Sequence, residues 1–205
     1  MNDDPYILIK GWLNDDLVNY ARSFLYTKQA IKSPISLNGS VNPNAKRRDD
    51  IFLDKHDALP LDNHLFTNAC PIILDKFGIN IQYKERYKIG SYYGDQQGFH
   101  HLHTDIQGSH GIMRHRKISS VVCLSHQTDY EGGILKFPKL NQAFKLDRGD
   151  AIFFRSSLLH GVDPVTKGRR DVLISFLFDV AGAKLKRRFT KDIDQYISLA
   201  HNKIL

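Results

Sequence analysis

Cysteine is nearly absent from this 205-residue chain: Cys70 and Cys123 are its only two, and no CxxC or CxxH spacing surrounds them. Neither a disulfide framework nor a thiolate zinc site is favoured on those terms, and Cys123, inside "SSVVCLS", reads as core packing. Long apolar runs are missing too, none approaching the ~18 to 20 residues that span a bilayer. The opening "MNDDPYILIK" carries acid where a secretory leader carries positive charge, so the expectation is a soluble, cytoplasmic protein with no membrane partner. No repeat period and no low-complexity tract is present. A phosphate-loop signature is lacking as well: "YEGGILKF" has no GxxxxGK[ST] pattern, which leaves Gly132 and Gly133 to serve a turn and close strand packing.

What is there suits one ordinary core. The hydrophobic fraction is 41%, enough at this length for a single sizeable domain. The net charge of +7 is local, because Lys184, Lys186, Arg187, Arg188 and Lys191 lie together in "KLKRRFTK". Such a run reads as a solvated helix start or exposed linker before it reads as a nucleic-acid surface.

Periodicity divides the chain in two. "NDDLVNYARSFLYTKQAI" places Asn14 as an N-cap, Asp15 and Asp16 at the positive end of a helix dipole, and apolar residues at Leu17, Val18, Ala21, Phe24 and Leu25. "SPISLNGSVNPNAKRRDD" is rich in turn formers and predicts a mobile surface loop, with Lys46 to Asp50 as a charge cluster over an active-site mouth or, the preferred reading, a plain solvated stretch. "LDNHLFTNACPIILDKF" reads as helix despite Pro71. Thereafter "YKERYKIGSYY", "RKISSVVCLS", "GGILKFP", "QAFKLDRGDAIFFRS" and "RDVLISFLFD" are short, β-rich and separated by turn residues, Arg148-Gly149-Asp150 among them.

This order predicts an all-β core with flanking α-helices, a double-stranded β-helix (jelly roll, cupin-like), because a double sheet buries many short strands without long exposed edges. Residues 1–82 are expected as a helical support packed on the core, 83–180 as the jelly-roll core and 181–205 as a basic helical extension closing with "DIDQYISLA", all within one structural domain.

The chemistry-bearing stretch is "GFHHLHTDIQG". Alternation along a strand turns His103 and Asp105 to one face and Thr104 to the other. A third ligand is available from "SSLLHGVDPVTKGRR" as His160. Two histidines and a carboxylate form a facial triad that leaves open positions on Fe(II) for a bidentate cosubstrate and dioxygen, whereas a closed zinc site leaves none. Ten residues on, Arg170 carries a guanidinium suited to a carboxylate. A keto acid with a distal carboxylate, 2-oxoglutarate, fits both ends.

In "YKIG", "HTD", "RKISSVVCLSHQTDYEGGILKF" and "HGVDPVTKGRR" followed by "VLISFLF", the chain resembles the 2-oxoglutarate- and Fe(II)-dependent dioxygenases of the prolyl 4-hydroxylase type, over about residues 83 to 180. The resemblance implies His103, Asp105 and His160 as iron ligands, Arg170 as partner of the distal carboxylate of 2-oxoglutarate, and Tyr87 as a group hydrogen-bonding near the cosubstrate. Two alternatives stay open: the long interval before His103 also offers Tyr92 and Tyr93, and Arg169 sits beside Arg170, of which alternation lets only one face the cavity.

The resemblance further implies hydroxylation of an unactivated C–H bond, most directly of a prolyl residue in a protein or peptide, with dioxygen consumed and ascorbate in a supporting role. A free amino acid or other small molecule is the first alternative substrate. A nucleic-acid demethylase is disfavoured, because no second arginine stands at the later offset those enzymes use within the strand after His160, and a metal-free jelly-roll binding module is the remaining rival. His64, His110, His115, His126 and His201 carry no assignment. His101 shares the face of His103 if the strand is regular, either as a neighbour of the metal or substrate or, the preferred reading, as a solvent-exposed residue at the cavity mouth, and His100 reads as structural.

Overall fold

The computed structural model describes residues 5–34, 41–106, 113–188 and 196–198. In chain order these form β1 (Tyr6–Ile9), α1 (Asp15–Thr27), β2 (Ile31–Lys32), β3 (Lys46–Arg47), β4 (Asp49–Phe52), α2 (Lys55–Asn68), α3 (Cys70–Phe77), β5 (Tyr83–Glu85), β6 (Lys88–Tyr93) and β7 (Phe99–His103). The second half adds β8 (Ile118–Cys123), β9 (Tyr130–Gly132), β10 (Leu135–Phe137), β11 (Gln142–Phe144), β12 (Ala151–Arg155), β13 (His160–Val162), β14 (Val165–Phe178), α4 (Val180–Arg187) and β15 (Tyr196–Ser198).

The helices start where their caps place them. Asn14 accepts from the Leu17 N–H at 3.0 Å, and Asp54 closes a capping box with Asp57 at the head of α2. Pro71 does not sit within one helix: α2 ends, and α3 begins with the proline in its first turn, where its missing N–H costs nothing.

Two sheets face each other. The larger runs β1-β12-β8-β14-β6-β4-β2, with β5 and β9 also on β14 and β15 on β5; the smaller runs β11-β10-β13-β7-β3. The long strand β14 shows how alternation organises the interior. Leu173 and Leu177 pack with Val18, Leu61, Leu65 and Ile73 from the helices, while Val172, Ile174 and Phe176 join Tyr92 and Tyr130 on the side facing the smaller sheet. Full burial of such side chains is worth about 1.5–3 kcal/mol each. The helices therefore brace the outer face of the larger sheet, and its inner face lines the space between the sheets.

This architecture is the expected double-sheet core with flanking helices. Three expectations within it change. Residues 1–82 do more than support, since β1 pairs with β12, β4 with β6 and β3 with β7. The expected solvated cluster at Lys46 to Asp50 is instead strand: Lys46, Arg48 and Asp50 are buried, because alternation in β3 and β4 turns them inward against compensating partners. Of the expected closing helix, Tyr196–Ser198 pair antiparallel with β5, as a backbone that offers a free sheet edge invites; the rest of 192–200 lies outside the described residues. Of the basic run, Lys184–Arg187 end α4, where positive charge suits the helix C-terminus. Among the described residues no helix is long and apolar enough to cross a membrane.

Candidate metal centre and cosubstrate cavity

A cavity of about 480 Å³ opens between the sheets, with His103, Asp105 and His160 on one wall and Arg170 on the other. His103 ends β7, His160 begins β13, and the two are direct cross-strand partners. One ligand atom from each of His103, Asp105 and His160 lies within 4.8 Å of the others. The Nε2 atoms of His103 and His160 are each 3.4 Å from a different oxygen of Asp105.

The ring orientations are fixed from behind. Nδ1 of His103 lies 2.8 Å from the His101 carbonyl and Nδ1 of His160 lies 2.9 Å from that of Leu158. A carbonyl only accepts, so both Nδ1 atoms carry the proton and both Nε2 lone pairs point toward Asp105. Asp105 is held by Ser119 Oγ, which donates to Oδ2 at 2.6 Å, and its N–H donates to the Ser156 carbonyl at 2.9 Å. Burial works to raise the Asp105 carboxyl, but the neighbouring histidines and Arg116 hold it well below the usual range. Burial keeps His160 below its ordinary value despite Asp105. An ionised carboxylate beside a neutral imidazole is the protonation pattern that ligates a metal.

Regular alternation would set His101 beside His103. The pairing instead slips between His160↔His103 and Val162↔His100, with one residue, Gly161, on β13 against two, His101 and Leu102, on β7, which is a bulge. His100 consequently stacks on His103 with ring centres 3.7 Å apart, and His101 is exposed against Phe99. Burial, then repulsion from His103 and Arg48, hold His100 well below its usual pKa.

Parity along β14 separates the two arginines. Arg169 is on the outer face, its Nε donating to Asp171 at 2.8 Å. Arg170 is 1% exposed, lines the cavity, and none of its three guanidinium nitrogens has a hydrogen-bond partner among the described residues. A buried cation without hydrogen bonds is costly, and its geometry fits a bidentate carboxylate. Gly133 makes the room: at φ +62° its absent Cβ would stand 2.8 Å from Arg170 Cδ.

Tyr87 is not in this cavity. It packs in the helix-side core, its hydroxyl donating to the Leu61 carbonyl at 3.4 Å and the Lys84 ammonium 4.0 Å from its ring centre. The physical reason is parity again, since Tyr87 lies just before β6, whose Ile89 faces the helices while Gly90 and Tyr92 face the cavity or its wall. Tyr92 takes the position beside Arg170, with the guanidinium 5.4 Å from its ring centre and Arg48 donating to its hydroxyl at 2.9 Å. Tyr93 is on the outer face with Arg169.

Sequence reading missed Lys88, Ser119 and Ser156, and placed Arg48 at a cavity mouth only as the second reading of the Lys46 to Asp50 cluster. Arg48 binds Asp50 through Nε at 2.7 Å, and Gly90 gives it passage, since a Cβ there would stand 2.7 Å from Arg48 Cδ. In "KRRDD" it is burial that alternates, with Lys46, Arg48 and Asp50 inward.

A double-stranded β-helix with two histidines and a carboxylate at its mouth, facing a buried, unsatisfied arginine, defines the class of mononuclear metal oxygenase scaffolds that take a dicarboxylate cosubstrate. The chain belongs to the 2OG-Fe(II) oxygenase superfamily, whose family model matches residues 87–178, and oxygenases of this family use Fe(II) and 2-oxoglutarate. It is 31% identical over 156 residues to a PKHD-type hydroxylase of Delftia acidovorans, covering 68% of this chain and 67% of the relative. Identity to the PKHD-type hydroxylase of Colwellia psychrerythraea is 32% over 108 residues, 52% of this chain and 46% of the relative. Against several such relatives, therefore, the match spans about half of their length. Among solved structures, the fold is similar to a prolyl hydroxylase from Trichoplax adhaerens in complex with a hypoxia inducible factor peptide fragment (TM-score 0.68, 15% identity, 92% and 89% of the two chains). It is also similar to a viral collagen prolyl hydroxylase from Paramecium Bursaria Chlorella virus-1, solved as a 2OG complex (TM-score 0.64, 16% identity, 86% and 97%).

Proposed function

We propose that this chain is an Fe(II)- and 2-oxoglutarate-dependent hydroxylase acting on an unactivated C–H bond, that of a prolyl residue in a protein or peptide. The observation that carries the reading is the unsatisfied guanidinium of Arg170 across one cavity from the three converging ligand atoms of His103, Asp105 and His160. The residues fit the pair of cofactors: three ligand atoms for iron, and a buried cation for the far carboxylate of 2-oxoglutarate.

Bound iron and 2-oxoglutarate supply the oxidising chemistry, in which dioxygen is consumed, 2-oxoglutarate becomes succinate and carbon dioxide, and the C–H bond is hydroxylated. The chain's part is positioning. His103, Asp105 and His160 would hold the ion at the cavity wall. Arg170 orients the cosubstrate, Tyr92 walls it, and Val172 and Ile174 keep that end of the cavity apolar. Retention of the carboxylate at Asp105 favours hydroxylation over halogenation, which needs that ligand position vacated. Ascorbate serves as a supporting reductant. A cytoplasmic setting is consistent with the free thiols of Cys70 and Cys123.

The names of the relatives and of the solved neighbours support hydroxylation and a prolyl target. A free amino acid or other small molecule is the second reading. A nucleic-acid demethylase has no second arginine on β14 after Arg170 to support it, and convergence of His103, Asp105, His160 and Arg170 on one cavity weighs against a metal-free binding module.

The test is direct. Purified protein with Fe(II) and ascorbate is expected to bind 2-oxoglutarate and release succinate slowly without substrate, and to add 16 Da to prolyl peptides. Absence of 2-oxoglutarate binding under anaerobic Fe(II) loading would sink the oxygenase reading.

A further inference from the structure

The cavity holds more positive charge than its own carboxylates can match. Arg48, Lys88 and Lys46 all surround Asp50, although burial, then Arg48 and Lys88, push Lys46 itself down to about 6. Asp50 already receives Arg48 at 2.7 and 3.2 Å and Ser33 Oγ. The Glu85 carboxylate is likewise taken, by Arg116 at 2.6 and 2.8 Å and by His115 at 2.8 Å, and Asp105 faces His103 and His160. Lys46 donates to the Pro34 carbonyl.

Lys88 is what remains. Its side chain is 17% exposed, and its ammonium stands 3.8 Å from Asp50 Oδ2, beyond hydrogen-bond length, and 5.3 Å from the Phe176 ring centre. It makes no hydrogen bond among the described residues and lines the cavity. Burial presses it below the ordinary lysine pKa, as expected of a cation short of a counter-charge. Lys88 and Tyr92 share one face of β6, and Tyr92 is the cross-strand partner of Arg170. Four residues at roughly 3.3 Å each put the Lys88 position about 13 Å along the strand from Tyr92.

We propose that the substrate carries a carboxylate close to the oxidised carbon and that Lys88 receives it, so that the cavity has two cationic anchors, Arg170 for the cosubstrate and Lys88 for the substrate. This rests on the hydroxylase reading and sharpens its substrate class to an anionic one. The carboxylate comes either from an acidic side chain beside the target residue or from the α-carboxylate of a free amino acid.

The experiment uses the Fe(II)-loaded enzyme with 2-oxoglutarate and a library scored for +16 Da products. It contains proline peptides with Glu, Gln or Lys next to the proline, and common free amino acids paired with their amides. The expected result is a preference of about ten-fold or more in kcat/KM for the acid over its neutral isostere, carried by KM. Glu-peptides or free acids as the preferred members then separate the two sources. In Lys88→Met the preference falls toward unity, and in Lys88→Glu the Lys-peptides overtake the Glu-peptides. A second readout needs no substrate: Lys88→Met is expected to melt no lower than the wild type, because it removes a cation short of a partner.

Equal turnover of acid and isostere, or a preference that survives Lys88→Met, overturns the inference. So does a fall of several degrees in the Lys88→Met melting temperature, which would make Lys88 a structural counter-ion of Asp50. Succinate release with no oxidised prolyl compound removes the prolyl reading alone, the free acids and amides then carrying the charge comparison. A screen in which no acid of any kind is oxidised overturns the anionic-substrate inference.

Discussion

His160 stands directly across from His103 in the antiparallel pairing of β13 with β7, their ring centres 4.2 Å apart. Residues separated by more than fifty positions in sequence are thereby held at the spacing of one ladder rung. Asp105 closes the set from the turn after β7, fixed by Ser119. The metal centre is thus assembled by strand pairing and requires no ordering of a loop to bring its histidines together.

Binding of Fe(II), or Mn(II) as an inert substitute, is expected to stabilise the wild-type fold. At a hundred-fold excess of metal over Kd the gain is about 2.7 kcal/mol, a rise in melting temperature of roughly 5–10 °C for a chain of this size. His103→Ala or Asp105→Ala is expected to lose the rise. A variant that keeps it places the ion elsewhere.

Arg170→Ala is expected to weaken 2-oxoglutarate binding by about 2–5 kcal/mol, the cost of removing one partner of a buried charge pair. Arg169→Ala, which breaks a partly exposed contact with Asp171, should change that affinity by less than about 1 kcal/mol. Anaerobic calorimetry on the metal-loaded protein separates them, and equal losses would contradict the parity assignment.

Tyr87→Phe and Tyr92→Phe should divide between stability and cosubstrate binding. Tyr87 lies in the helix-side core near the Asp62–Lys84 pair, so its hydroxyl should matter to melting and not to 2-oxoglutarate. Loss of the Tyr92 hydroxyl frees Arg48 and is expected to weaken the cosubstrate. The reverse pattern in paired melting and binding measurements would restore Tyr87 to the cavity.

Arg48→Met strands Asp50, which is fully buried, and is expected to cost about 3–5 kcal/mol, as breaking a buried pair does. Arg48→Met combined with Asp50→Asn should recover part of it. Urea denaturation of the two variants measures the difference, and an additive double variant would show that the pair does not interact.

Acid should unfold the metal-free protein in a defined window. Burial tends to raise Asp50, but Arg48 and Lys88 bring it from 3.8 down to about 2, and Arg116 and His115 likewise hold Glu85 low against its burial. A carboxylate with a depressed folded-state pKa contributes stability that is full above its unfolded value, roughly 4, and is lost as pH falls through the folded one. Melting temperature is therefore expected to fall most steeply between about pH 4 and 2. A melting temperature unchanged across that interval would rule out these ion pairs as its source.

Much of this protein is set by its sequence alone. Asn14 capping two aspartates before a period-3.6 apolar pattern produces α1 with the expected start, because caps and amphipathicity are local. The two-residue spacing of His103 and Asp105 and the β-rich context of His160 identify a metal triad from side-chain chemistry. The near-continuous apolar run of "RDVLISFLF" marks β14 as a strand, and the structure buries it on both faces.

Tertiary structure decided which face each residue takes. Alternation says that Arg169 and Arg170 diverge but not which of them points inward, and only the packing of Leu173 and Leu177 against the helices sets that parity. The same parity sends Tyr87 to the helix-side core and brings Tyr92 to Arg170. "KRRDD" carries no apolar signal, so its burial depends on a partner far along the chain, the Tyr92 hydroxyl that receives Arg48. A one-residue bulge, invisible in sequence, exchanges His101 for His100 beside the metal site. Local interactions fix where elements begin and end; the side of the sheet a residue serves is set by long-range packing.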